Sequence, residues 1–360
     1  MRMIVRANSK MGCRAVARRA VSVLAFLLGA FSATGFCADN PPRSNPISSI
    51  FDPRSAPADS IIRNAHFVLA ICALIFVVVG TLLIYAVVKF RETRSNSGRE
   101  PAQVYGSTQI ETAWTVIPIL IVVVLFLASA REIHSVQDAV RPLGVVEVTV
   151  IGHQFWWEFR YPGLGVVTAN ELHIPLSDPT HRKPTFLKLM SADTDHSFWI
   201  PQLAGKTDLI PNRVNEMWIE PRETGVFLGQ CAQYCGTQHA KMLLRVSVDS
   251  AEAFDAWVRA QRQPANQDDK EAAGRRVFET TACLNCHAVG GTNGTGRFGP
   301  DLTHLMSRST IAAGAAENTA ENLRLWIQNP EAIKPGSLMP AMKLSDEELD
   351  ALVRYLETLR

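Results

Sequence analysis

A dominant charge is missing from this chain: 36 Lys and Arg against 34 Asp and Glu leave a formal net charge of +2 over 360 residues. Much of the positive side sits at the extreme N-terminus, in Arg2, Arg6, Lys10, Arg14, Arg18 and Arg19. Farther on the balance turns weakly acidic, with 13 basic and 15 acidic residues over 131–265, and 10 and 13 over 266–360. With no basic face, nucleic acid is excluded as a partner. Cysteine is scarce as well, and four of the 7 fall in two short runs, at Cys231 and Cys235 and at Cys283 and Cys286. Charge disappears entirely from residues 65–88 and 113–130, stretches of 24 and 18 residues.

Residues 1–38 combine those early cations with the apolar run AVSVLAFLLGAF and then small residues, the pattern of a signal peptide. Phe36 suits a cut after Ala38 badly, whereas Ala33 with Gly35 favours an earlier one. Phe36 before Cys37 also makes a poor lipoprotein site, and Cys13 leaves with the leader. Both uncharged stretches are long enough to cross a bilayer, the second only just, so a buried core helix is its alternative. A leader followed by a matched first span makes a transmembrane hairpin the simplest topology, within a segment 39–131 and with spans at about 65–88 and 113–130. Cys72, in mid-span, reads as inert packing. The connecting loop carries Lys89, Arg91, Arg94 and Arg99 against Glu92, Glu100 and Glu111, which puts it in the cytoplasm and everything after Arg131 outside.

Residues 132–260 read as an all-β domain. VVEVTVIGHQFWWEFRYPG, TFLKLMS, VNEMWIEP, TGVFLGQC and MLLRVSVD are short, alternating and rich in β-branched residues, with Pro and Gly turns between them. That rhythm indicates a sandwich or small barrel. QRQPANQDD, at 261–269, is a polar linker, and 270–360 read as a small all-helical domain. Its helices run from about Lys270 to Thr280, from Thr319 to Gln328 with Asn318 and Glu321 as a capping box, and from Ser345 with Glu348 completing another.

Two runs carry the chemistry. CAQYCGTQHAKM packs Cys231, Cys235, His239 and Met242 into one loop between strands, and His196, in SADTDHSFWIP, is the best further imidazole. Thiolate and thioether donors select copper over magnesium, calcium or manganese, and two thiols exceed the single Cys of a blue-copper centre. A disulfide, a dithiol redox site and a copper chaperone are the competing readings. CLNCH, at 283–287, is the c-type haem attachment pattern. In a helix Cys283 and Cys286 share a face and His287 lies beside them, so two thioethers can hold the ring while His287 binds iron. A second pair of zinc ligands is lacking. For the sixth ligand Met339 in SLMPAM is favoured, with Met342 and Met306 as alternatives, and Pro300 can offer its carbonyl to the His287 ring. Trp326 and Tyr355 read as haem packing. His66, His134, His153, His173, His181 and His304 lack partners at ligand spacing, which leaves surface or packing roles. Haem attachment and copper loading both suit a periplasmic compartment.

On FDPRSAPADSI, QIETAWTVIP, GHQFWW, DHSFWIPQLAGKTDLIPNR, GQCAQYCGTQHAKM and the tail MPAMKLSDEELDALVRYL, the chain resembles subunit II of haem-copper cytochrome c oxidases, in the caa-type form with a fused cytochrome c. The resemblance covers nearly all of the mature chain. It implies a cupredoxin sandwich and a class I cytochrome c. It further implies a binuclear CuA centre of two copper ions, with Cys231 and Cys235 bridging, His196 and His239 binding one copper each, and Met242 and the Gln233 backbone carbonyl completing the shells. One covalently bound haem c, oxidase subunits I and III, membrane lipid and the bacterial inner membrane follow, with an upstream cytochrome c or a quinol–cytochrome c reductase as donor.

Two positions depart from the family pattern. Gln233 replaces the usual Glu, whose side chain also binds an interfacial Mg²⁺, so that metal is open here. Phe155 stands where many relatives carry the Trp that receives electrons from soluble cytochrome c, a change that fits a built-in donor. Phe155, Trp156 and Trp157 are thus either an electron path or strand packing. Glu111 is either a dipole-matched helix start or, as the family implies, a residue near a proton-channel mouth. The reading that needs no oxidase, an anchored electron carrier or copper-handling protein, would need one span rather than two.

Overall fold

The computed structural model describes residues 49–360 apart from 93–97, 99, 101–102, 104, 138–140, 179, 181 and 266–268. The leader with Cys13 and Cys37, the loop cations Arg94 and Arg99, and His181 lie outside the described residues.

Helices α1 (Ala56–Lys89) and α2 (Thr108–Gln137) carry the two uncharged stretches and pack against each other. None of α2 is buried, and in α1 only Pro57, Ala58 and Ser60 are, so neither is a core helix. α1 starts well before residue 65 because its first turn is tied to the β domain. Pro57 supplies a preset φ at the helix start, Ala56 N donates to the Glu220 carbonyl (3.2 Å) and Glu220 N to Ser55 Oγ (3.0 Å). α2 likewise outlasts its apolar run and gives its Val136 carbonyl to Trp218 Nε1 at 2.6 Å. Both helices therefore rise directly into the β domain.

That domain is a sandwich of two five-stranded sheets, ordered β3-β2-β1-β5-β8 and β4-β10-β9-β6-β7. The strands are β1 (Glu147–His153), β2 (Trp156–Tyr161), β3 (Val166–Ala169), β4 (Glu171–Pro175), β5 (Thr185–Ser191), β6 (His196–Trp199), β7 (Thr207–Leu209), β8 (Asn215–Ile219), β9 (Gly225–Cys231) and β10 (Leu243–Asp249). β1 runs parallel to β5 and β4 parallel to β10; the other pairs are antiparallel. β1 and β10 bury alternate residues, as half-covered strands do. β2 is different: all of WWEFRY but Arg160 is buried, because the helical domain covers its outward face and packs Ala313 on Trp156. Helix α3 (Ala251–Gln261) closes one end with Phe254 and Val258 in the sandwich core.

The helical domain comprises α4 (Ala272–Thr280), α5 (Cys283–Cys286), α6 (Ala320–Gln328), α7 (Pro330–Ile333) and α8 (Asp346–Glu357), with a two-residue ribbon of β11 (Thr310–Ile311) and β12 (Ala316–Glu317). α4 and α8 cross at Gly274, where a Cβ would lie 2.0 Å from the Ala351 carbonyl oxygen, so only glycine fits. The Ser345–Glu348 capping box forms. The box expected of Asn318 does not: its Nδ2 donates to the Leu305 and Arg308 carbonyls, which turns the side chain away from the helix and leaves its buried Oδ1 without a partner among the described residues, and Thr319 caps α6 instead. Of the stretch 261–269, Gln261 and Ala265 are buried and Gln261 Nε2 donates to Ser307 Oγ at 3.0 Å.

Candidate metal and haem centres

The copper-type donors meet where β6 pairs with β9. Cys231 is the last residue of β9 and His196 the first of β6, on the strand itself rather than in a preceding loop. The register Phe198↔Cys231 brings them close. The loop from Cys231 returns through a 3-10 turn, His239–Lys241, and is closed at its base by Cys231 N donating to the Met242 carbonyl (2.9 Å). Two glycines make room: a Cβ at Gly152 would lie 2.8 Å from the His196 ring, and one at Gly229 2.7 Å from the Trp199 carbonyl oxygen.

The sulfurs of Cys231 and Cys235 stand 3.9 Å apart, far beyond the ~2.05 Å of a disulfide. His196 Nδ1 lies 3.9 Å from Cys231 Sγ, His239 Nδ1 3.8 Å from Cys235 Sγ and Met242 Sδ 3.8 Å from Cys235 Sγ. The Gln233 carbonyl oxygen is 3.1 Å from Cys231 Sγ, while its side chain is exposed. Each gap is one that a metal at ~2.3 Å from thiolate and ~2.0 Å from imidazole can bridge. Four donors around two central sulfurs, six in all, also exceed what one tetrahedral ion uses, so the set fits a soft two-metal group.

The electrostatics favour thiolate at Cys231 and oppose it at Cys235. The adjoining Cys235 thiol, outweighing burial, holds Cys231 well below the usual thiol range, while Cys235 is pushed up because it faces that charge and is itself buried. His196 is raised: burial opposes its charged form, but the Asp193 carboxylate, Oδ1 at 2.7 Å from Nε2, prevails. Asp193 is lowered in spite of burial by the same bond, and it also accepts from Gln154 N at 2.6 Å. This outer carboxylate fixes the His196 ring with Nδ1 toward sulfur. Sequence reasoning passed over Asp193; an acid three residues ahead of the histidine in DTDH was the available signal.

The second centre is an apolar cleft of the helical domain lined by Cys283, Cys286, His287, Trp326, Met339 and Met342. α5 is a single turn, which carries both thiols on one wall. His287 follows as its C-cap, and its Nδ1 lies 2.7 Å from the Pro300 carbonyl oxygen. A carbonyl can only accept, so Nδ1 carries the hydrogen and the Nε2 lone pair is left for iron. Burial lowers the His287 pKa, which keeps the ring neutral as a ligand must be. Gly299 leaves the ring its space, since a Cβ there would come within 2.5 Å of Cε1. A cleft with two thiols, a neutral imidazole and apolar walls fits a covalently held haem. Met306 is outside the cleft lining, and Tyr355 packs on Phe278 in the helical core.

The aromatic run divides. Phe155 and Trp156 line the haem-type cleft from the sandwich side. Trp157 is fully buried, edge-on to the His196 ring at 6.0 Å between centroids. Glu111 is exposed in the first turn of α2, where a negative charge suits the dipole. His153 and His173 pair with Glu158 (3.0 Å) and Asp249 (2.8 Å), and buried His304 faces the Arg360 and Gln263 carbonyls.

Three family models match the chain: the cytochrome c oxidase subunit II transmembrane domain over residues 45–131, the periplasmic domain of the same subunit over 179–249, and cytochrome c over 271–360. A cytochrome c oxidase subunit 2 of Alkalihalophilus pseudofirmus is 36% identical over 316 residues, 86% of this chain and 90% of that protein. The cytochrome c oxidase subunit 2 of Bacillus subtilis is 31% identical, over 84% and 90%. Among solved structures, the periplasmic domain of subunit II of cytochrome oxidase from Bradyrhizobium japonicum aligns at 27% identity with a TM-score of 0.32, covering 34% of this chain and 97% of that one.

Proposed function

The chain belongs to the cytochrome c oxidase subunit II family, and on that premise we propose that it is the electron-entry subunit of a terminal oxidase in a bacterial inner membrane. The family carries copper in its periplasmic domain, haem c in the cytochrome c domain, a membrane anchor, and association with other oxidase subunits. When bound, the haem and a pair of coppers supply one-electron chemistry, from an upstream cytochrome c or reductase to subunit I, where oxygen is reduced to water and protons are pumped.

The chain's own residues would do the following. Cys231 and Cys235 hold the coppers between them, while His196, His239, Met242 and the Gln233 carbonyl complete the shells. Cys283 and Cys286 would anchor the haem, and His287 and Met339 would be the ligands of its iron. Met as a ligand raises the potential, as an electron acceptor from a soluble donor requires. Buried strands on either side keep the copper ligands from rearranging when the charge changes. Phe155 lines the haem-type cleft and lies in the same core cluster as Cys235 and Met242, Trp156 lines that cleft beside it, and Trp157 is beside His196, which supports a path through them. Gln233 would face subunit I, where a neutral amide binds Mg²⁺ less well than a carboxylate, and Glu111 would start α2 near a proton entry in that subunit.

One observation carries the reading: two imidazoles, a thioether and a backbone carbonyl, from strand β6 and the loop after β9, each lie 3.1–3.9 Å from one of two unlinked thiols that are themselves 3.9 Å apart. Metal analysis of the purified, detergent-solubilised chain should find two coppers for each iron, with a near-infrared absorption band. One copper per chain, or none, would refute it.

A further inference from the structure

Two buried charged side chains join the haem-bearing domain to the copper-type domain; neither is among the metal or haem ligands, although Lys334 lines the haem-type cleft. Glu171 opens β4, is 5% exposed, and accepts four hydrogen bonds from one corner of the helical domain. The donors are Ser309 N (3.0 Å), Ser309 Oγ (2.7 Å), Thr310 N (2.9 Å) and Thr310 Oγ1 (2.8 Å). Arg245, opposite Glu171 on β10, donates to the same Ser309 hydroxyl at 2.8 Å. Lys334 follows α7, is 3% exposed, and donates to the Phe155 carbonyl (2.7 Å) and the Ala312 carbonyl (3.2 Å).

Between these points the helical domain grips the copper loop itself. Gln238 Nε2 donates to the Pro335 carbonyl and Lys241 Nζ to the Ile333 carbonyl (2.7 Å), while Leu243 N, next to Met242, donates to Ala313 O at 3.1 Å. Gly336 adjoins Thr237 so closely that a Cβ would lie 2.9 Å from its hydroxyl. The segment holding Met339 and the loop holding Cys235, His239 and Met242 are thus braced to each other. A tether alone would keep the domains near one another without choosing an orientation. Burying a carboxylate and an ammonium at one seam is costly unless the partners are always in place, which selects a single pose.

We propose that Glu171 and Lys334 lock the haem-bearing domain onto the copper-bearing domain in one pose, and so act as positioning residues for electron delivery between the two centres. The inference rests on the electron-entry reading above. The step it serves moves one electron from the haem iron, which is oxidised, to the copper pair, which is reduced, and no proton or atom changes place. A second consequence is that Phe155 and Trp156, both 8% exposed, are covered by the chain's own haem domain, so a soluble donor must enter at the haem.

The test uses the full chain in its assembled oxidase, with Glu171→Ala, Lys334→Met and the double variant. Rapid photoreduction of the haem, followed at the haem and copper bands, reads the internal transfer rate, and amide hydrogen exchange at Ser309, Thr310 and Leu243 reads the pose. Each single variant should slow transfer and speed exchange at those amides by about tenfold, the change expected when a buried charged hydrogen-bond set is removed. Glu171→Gln, which keeps an acceptor, should recover part of both. Unchanged exchange in the double variant overturns the clamp, and opened exchange with an unchanged transfer rate overturns its positioning role. If the double variant fails to load haem, the single variants carry the test. Absence of haem-to-copper transfer in the parent chain would instead refute the electron-entry reading.

Discussion

Asp193→Asn tests whether the carboxylate behind His196 holds the copper-side imidazole in place. The carboxylate accepts three hydrogen bonds, from His196 Nε2 (2.7 Å) and Thr194 N (2.7 Å) on Oδ1 and from Gln154 N (2.6 Å) on Oδ2. An asparagine offers one oxygen. Keeping it toward His196 and Thr194 turns its NH₂ against the Gln154 amide, and flipping it orphans the other two donors. The first arrangement loses one bond and reduces the His196 contact from charge-assisted to neutral, roughly halving its strength. Removal of such an outer partner lowers metal affinity by about 10–100-fold, or ~1.4–2.7 kcal/mol. Copper affinity would be measured by chelator competition on the purified chain, with haem absorption as the control for folding. Unchanged copper affinity in a haem-loaded Asp193→Asn chain would refute the argument.

Three further outcomes follow from the geometry. Met339→His should lower the haem midpoint potential, because imidazole stabilises the oxidised iron more than thioether does, while Met306→Leu, outside the cleft lining, should leave it where it is; redox titration distinguishes them. Gly274→Ala forces a methyl against the Ala351 carbonyl oxygen 2.0 Å away and should cost about 1–3 kcal/mol or more, read as a lower unfolding temperature of the helical domain. Burial lowers Lys334 from 10.5 to about 7. Below about pH 7 the folded chain bears the full cost of a buried ammonium; from there to 10.5 the unfolded chain binds more protons. Stability should therefore rise with pH across that window by up to ~1.4 kcal/mol per unit. Lys334→Met should flatten this slope in thermal unfolding, and an equal slope in both chains would disprove the assignment.

What could be read in the sequence was local. CLNCH puts two thiols and an imidazole on adjacent turns whatever surrounds them, the Ser345–Glu348 box is a contact three residues apart, and a stretch without charge is legible by length alone. Strand β5 coincides with TFLKLMS because alternation and flanking turns act within a few residues. Asn318 was a harder case: its sequence neighbours favour a cap, but the carbonyls of Leu305 and Arg308 take its amide. Competition of that kind between local and distant partners has no trace in spacing.

By itself, then, the sequence determined which donors exist, how each cluster is spaced, which segments avoid water and which family the motifs resemble. Only the tertiary structure decided that His196 meets Cys231 across the β6–β9 register, that Asp193 stands behind it, and that Gly152 and Gly299 yield space to the two histidines. It also decided that Glu171 and Lys334 are buried at the seam between the domains. The physical reason is that spacing along the chain is set by covalent geometry, whereas burial and pairing depend on which distant segments pack together, and that follows from the whole core at once.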